Sequence, residues 1–207
     1  MKKKLTLMVT TAALAALLVV GATMAYFTSQ DTATNIIKTG NVDIKVVEHK
    51  EDGTPFAPDS DDNKFTNLVP GSEFSKKPTV TNIGSNPAIV RAKVVFVEPG
   101  TDKPVGDGFF PNGMPVLNEE ENTKWVKDGE YYYYSEILET SGEKSETNEI
   151  FTTVYIPDTW NNSDAGKEFD IIIYAEAVQA ENLLEGDTVN IDTIKAGFKK
   201  YTDSLTD

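Results

Sequence analysis

From residue 42 to residue 177, apolar and polar side chains alternate in one short run after another. Val42, Ile44 and Val46 stand opposite Asp43, Lys45 and Val47, and Ala88, Val90, Ala92, Val94 and Phe96 stand opposite Ile89, Arg91, Lys93, Val95 and Val97. A period of two sends successive side chains to opposite faces of a strand, so each run has a face to bury. Turn-forming residues rather than helical stretches separate the runs, so neighbouring strands are joined directly and run antiparallel. The pattern therefore predicts an all-β chain whose antiparallel sheets pack as a sandwich.

The turn signals set the spacing. Leu68-Val69-Pro70-Gly71 supplies a Pro-Gly turn, with proline's φ suited to the first central position and glycine's positive φ to the second. A strand is expected over 77–82. Gly84-Ser85-Asn86-Pro87 then breaks the chain ahead of a long strand over 88–97, whose second half is apolar on both faces and is expected to bend from one sheet to the other. Residues 99–122 are rich in Gly, Pro, Asn, Asp and Glu and read as an extended surface loop with one short strand at 114–117. Asp128-Gly129, between two β-prone runs, predicts a hairpin continuing through 131–138. Ser141-Gly142 marks another turn, 150–156 another strand, and Phe169, Ile171, Ile173, Ala175 and Ala177 a last long one, for about seven or eight strands in all. The tail changes period: Ile191, Ile194, Phe198, Tyr201 and Leu205 form the apolar stripe of an amphipathic helix over 190–205, with Asn190 or Asp192 as N-cap. This helix is expected to pack on the sandwich.

At the other end, Met1-Lys2-Lys3-Lys4 precedes an uncharged stretch over 5–25 that closes on Thr23 and Ala25. A basic start, an apolar core and small closing residues are the layout of a secretory signal, with cleavage expected between Ala25 and Tyr26. An uncleaved anchor is the competing reading, because a stretch of this length can cross a bilayer. The core is diluted by Thr6, Thr10, Thr11 and Gly21, which favours cleavage and a released product with no membrane association of its own. Residues 26–207 then form a single domain, since no repeat or low-complexity linker divides them.

Composition excludes much chemistry. Of 33 acidic and 19 basic residues, three of the basic ones fall in the first 25 residues, leaving 16 − 33 = −17 on the mature chain. Such a surface repels phosphate backbones and anionic lipid, so no nucleic-acid partner is expected. The chain has no cysteine and one histidine, so no disulfide, Cys-ligated metal, thiol nucleophile or His-Glu-x-x-His zinc helix can be built. No Gly-x-Ser-x-Gly elbow, phosphate loop or dinucleotide fingerprint occurs either. No catalytic residue and no cofactor are expected. If a metal binds at all, the candidates are His49 for zinc, and Asp59 and Asp61 in the run Asp59-Ser60-Asp61-Asp62-Asn63 for weak calcium. That run lacks the glycine and closing glutamate of a calcium loop, Lys64 and Pro70 standing there instead. His49 reads as a solvated turn histidine, and Glu119-Glu120-Glu121 as a solubilising loop. Tyr131 to Tyr134 must alternate between faces, two in the core and two exposed, and the exposed pair suits either a ligand surface or a cross-strand aromatic pair.

The lysine-led signal followed by Gly21-Ala22-Thr23-Met24-Ala25-Tyr26-Phe27-Thr28 resembles the signal region of exported Firmicute proteins cleaved by the SipW type of signal peptidase. Thr39-Gly40-Asn41-Val42-Asp43-Ile44 is similar to a strand of the TasA and camelysin (CalY) family. Val69-Pro70-Gly71, the run from Pro78 through Ser85-Asn86-Pro87 to Arg91, and Tyr174-Ala175-Glu176-Ala177-Val178-Gln179-Ala180 add to the likeness. The resemblance implies a jelly-roll sandwich, secretion to the cell surface or biofilm matrix of a Gram-positive bacterium, and self-association or assembly with a homologous subunit into fibres. It further implies that the N-terminal mature segment is donated as a strand to the next subunit. Here that segment is 26–38, with Tyr26, Phe27, Ile36 and Ile37 as apolar anchors; a frayed N-terminus is the alternative. The family also carries a surface metalloendopeptidase label, which makes peptidase activity the second functional reading, and a monomeric surface adhesin is the third.

Overall fold

The computed structural model describes residues 42–56, 65, 68–106, 108–118, 124–181 and 189–205, together with the backbone of 28–32 and 35–37. The signal segment, Ala25, Tyr26, Phe27, Asp59 and Asp61 lie outside the described residues.

The strands are β1 (Thr28–Thr32), β2 (Asn35–Ile37), β3 (Ile44–His49), β4 (Glu73–Ser75), β5 (Lys77–Asn82), β6 (Ala88–Val97), β7 (Val116–Asn118), β8 (Trp125–Asp128), β9 (Tyr131–Tyr134), β10 (Thr153–Tyr155) and β11 (Asp170–Gln179), and helix α1 (Ile191–Ser204) follows. All the strand pairings among them are antiparallel. One layer is a six-stranded sheet in the order β2-β1-β11-β6-β9-β8. Its spine is the β6–β11 ladder, ten residues long from Ala88 opposite Gln179 to Val97 opposite Asp170. The other layer joins β3–β5 to the three-stranded sheet β4-β10-β7 through residues 146–152: Thr147 N–H donates to Val80 O, Ile150 N–H to Pro78 O and Lys76 N–H to Thr152 O.

Between the layers lies the core that the alternation foretold. Ile44, Val80, Phe151 and Val154 meet Val90, Ala92, Tyr132, Tyr134, Ile173, Ala175 and Ala177. The opposite face of the six-stranded sheet carries a second, smaller core where Ile89 and Val178 pack under Ile194 and Phe198 of α1. Asn190 caps this helix, its side chain accepting from the N–H groups of Asp192 and Thr193.

Four local expectations are corrected. The strand over 88–97 does not bend between sheets, because β6 pairs with β11 along its whole length. Its apolar second half is half-buried from Val94 to Phe96, with Phe96 packing against Phe169. The turn after β8 centres one residue later than Asp128-Gly129: Asp128 pairs with Tyr131, leaving Gly129 at φ +61° as the first residue of a two-residue loop, where glycine suits a type II′ turn. Leu205 leaves the helical stripe and is exposed at the C-cap. The short strand β4 was not foreseen, since three residues are too few to show a period.

Candidate functional site

Three places concentrate features that a packed sandwich alone does not require. The first is the N-terminal edge. β1 lies on β11 with Thr28 opposite Val178 and Thr32 opposite Tyr174, and β2 folds back with Gln30 opposite Ile37. The segment expected as one strand is thus a hairpin. Ile36 and Ile37 sit on its outer arm, the last strand of the sheet. The composition of β1, Thr-Ser-Gln-Asp-Thr, contains no large apolar residue, so its ladder on β11 rests on main-chain hydrogen bonds.

The second is the tyrosine strand. Tyr132 and Tyr134 are buried in the main core, as alternation requires, but Tyr131 and Tyr133 are only half-exposed. Arg91, paired with Tyr133 across β6–β9, places its guanidinium 4.1 Å from the Tyr131 ring centre and 4.7 Å from that of Phe198. Its Nε and Nη2 donate to Glu176 Oε2 at 2.6 and 2.5 Å. Burial works against this charge, but Glu176 and a hydrogen bond with Tyr133 outweigh it and hold the guanidinium above its ordinary pKa. A groove of about 320 Å³ opens here between α1 and β9, lined by Arg91, Tyr133, Lys195, Ala196, Phe198 and Lys199. Each of its three cations has a carboxylate: Glu176, Asp128 for Lys195, and Asp203 for Lys199. The face that sequence reasoning left open for a ligand is therefore largely covered by the helix and Arg91. Period two placed Arg91 outward, but only the strand register brings it to Glu176 and the helix.

The third is a cleft of about 560 Å³ whose lining includes His49, Lys77, Thr79, Lys124, Tyr134 and Glu146. His49 is not a solvated turn residue: it ends β3, half-buried, with Nε2 3.7 Å from Glu146 Oε1. Thr79 Oγ1 donates to that same oxygen at 2.5 Å. A zinc peptidase needs three protein ligands and an open position. Here His49 and Glu146 make two, and among the described residues no three of His, Asp and Glu could hold a metal ion. Lys77, Lys124 and Lys144 line the same cleft beside Glu136, Glu143 and Glu149. The described residues do not fit a catalytic zinc.

Two polar clusters escaped sequence reasoning altogether. Lys76, 6% exposed, pairs with Glu48 at 2.6 Å. Asp164, 2% exposed, accepts from Asn112 Nδ2 at 2.7 Å and from the Asn161 N–H at 3.1 Å, with Lys167 Nζ 3.9 Å away. Burial alone would raise the Asp164 pKa, but these donors and the lysine charge hold it below the ordinary value. Together with Trp160 stacked on Phe110, they pin the loop before β7 to the segment 157–167. Asparagine and lysine in a polar loop carry no periodic signal, so nothing in the sequence marked them.

Among the described residues no helix is long and apolar enough to cross a membrane. Residues 1–90 match the family model described as camelysin metallo-endopeptidase. No curated protein and no solved structure matches the chain.

Proposed function

We propose, from the premise that residues 1–90 carry the camelysin-family pattern, that this chain is an exported structural protein of an extracellular matrix or cell-surface fibre. In this reading a SipW-type signal peptidase cleaves between Ala25 and Tyr26, and the freed N-terminal segment joins one subunit to the next. The observation that carries the reading is the β1–β11 ladder: a five-residue polar strand held by main-chain bonds on a ten-residue central strand. A neighbour's β1 can make the same ladder in the same register, so exchange conserves its main-chain hydrogen bonds. Where each subunit gives its β1 to the next without receiving it back from the same one, the contact is head-to-tail and extends as a filament, whereas reciprocal exchange would stop at a dimer.

The chain has no cysteine, so engineered pairs report assembly without background. Ser29 stands opposite Ala177 in the ladder. Mature chains carrying Ser29→Cys alone and Ala177→Cys alone, mixed, polymerised and oxidised, are expected to cross-link to each other. Fibres that form without this mixed cross-link would show a different assembly mode. Persistent monomers across pH, salt and calcium would defeat the fibre reading itself.

A further inference from the structure

We infer that Asn112-Gly113 is a latent deamidation site, which the fold silences by clamping the Asn112 carboxamide onto the buried carboxylate of Asp164. It is the single Asn-Gly pair in the chain. In such a pair the glycine nitrogen attacks the asparagine Cγ and a new C–N bond closes a succinimide ring. The carboxamide nitrogen takes up the glycine N–H proton and leaves as ammonia. Water then opens the ring at one carbonyl or the other, giving aspartate or isoaspartate. Glycine makes the pair reactive because no Cβ obstructs its nitrogen, and here the backbone itself calls for glycine, with φ at +113°.

Both reacting nitrogens are held. The attacking one, Gly113 N–H, donates to Phe110 O at 3.2 Å, and the residue is fixed from its other end by Trp160 Nε1, which donates to Gly113 O at 2.7 Å. The departing one, Asn112 Nδ2, donates to Ser163 Oγ at 2.9 Å and to Asp164 Oδ2 at 2.7 Å. An ionised carboxylate holds this nitrogen firmly and has no proton to give it as it leaves. Conversion would also be one-way. Asp164 is 2% exposed, its Oδ1 has no hydrogen-bond partner among the described residues, and Lys167 at 3.9 Å is already its counter-ion. An aspartate at 112 puts a second carboxylate where Asp164 had a donor, and an isoaspartate also lengthens the main chain, so the loop before β7 does not dock again on the segment 157–167. The inference holds however the chain assembles.

Peptide mapping by mass spectrometry, on the intact chain kept at mildly alkaline pH, follows the products at residue 112. The folded chain is expected to convert at least about tenfold more slowly than the same chain in guanidinium chloride, the factor for one charge-assisted hydrogen bond. Asp164→Asn, with Ser163→Ala as the milder variant in case the first does not fold, should accelerate conversion in the folded chain. Asn190→Ala, which loosens only the helix cap, should leave the rate unchanged. Asn112→Asp, standing for the product, should open Trp160 to acrylamide quenching while Trp125, 5% exposed, stays shielded. Equal rates in the folded and unfolded chain, no acceleration in the folded clamp variants, or the same acceleration in Asn190→Ala would overturn the clamp. Unchanged Trp160 quenching in Asn112→Asp would overturn the one-way release of the loop.

Discussion

Arg91 and Phe198 hold a strand, a helix and a carboxylate at one point, and so they set the cost of losing a single side chain here. Phe198 is fully buried among Ile89, Val178 and Ile194 and receives Arg91 and Tyr133 on its ring. Phe198→Ala should cost about 3–5 kcal/mol in urea unfolding, because the site loses contacts from both the sheet and the helix. Arg91→Ala leaves Glu176 without its partner and should cost about 1.5–3 kcal/mol. Arg91→Lys should recover only part, since a lysine keeps the charge but loses the planar stacking. Asp164 gives a prediction in pH. Its folded pKa is depressed, so its contribution is present above the ordinary aspartate value near 3.9 and is lost as pH falls through the lower folded value. Asp164→Asn should therefore flatten the acid limb of the stability curve, followed by tryptophan fluorescence because Trp160 sits on the same cluster.

At the scale of elements, local chemistry and tertiary context divide the work. Of the two N-caps the sequence offered, α1 uses Asn190, which accepts two orphan N–H groups while Thr193 Oγ1 accepts from the Asn190 N–H. Asn190→Ala should cost about 1 kcal/mol, read as a drop in the denaturation midpoint without a change of slope. The Pro70-Gly71 turn also forms as its residues dictate, with Gly71 at φ +77° and Ser72 N–H closing on Val69 O. A Cβ at Gly71 would lie 2.5 Å from Asp158 Oδ1, the end of a side chain that can turn away, so it is the positive φ that calls for glycine there. β3, β5, β6, β9 and β11 were legible because each is long enough, or bounded sharply enough, to show period two. β7 and β10 were also expected, at 114–117 and 150–156, and form as three-residue strands at 116–118 and 153–155; β4, of three residues, was not, and its pairing with β10 rather than propensity makes it a strand.

For the whole molecule, charge is the dominant long-range term. Residues 26–207 carry a formal charge of −17, so copies of this segment repel one another, and that repulsion decays over about 10 Å at 0.1 M salt. The fibre assembly proposed above, followed by light scattering, should therefore accelerate with added salt, divalent cations or mild acid. Fastest assembly at neutral pH in low salt would mean that specific contacts override the charge.

By itself the sequence determined the fold class, the inward and outward faces of the long strands and the place of the terminal helix, with its cap left between Asn190 and Asp192. These follow from local geometry: period two, period 3.6 and the φ demands of glycine and proline act over a few residues. Tertiary structure alone decided that β6 stays in one sheet, that the N-terminal segment folds as a hairpin on β11, that Arg91 meets Glu176 85 residues away, and that His49 faces Glu146. Those juxtapositions depend on strand register and sheet order, which bring distant residues together through contacts that no local pattern encodes.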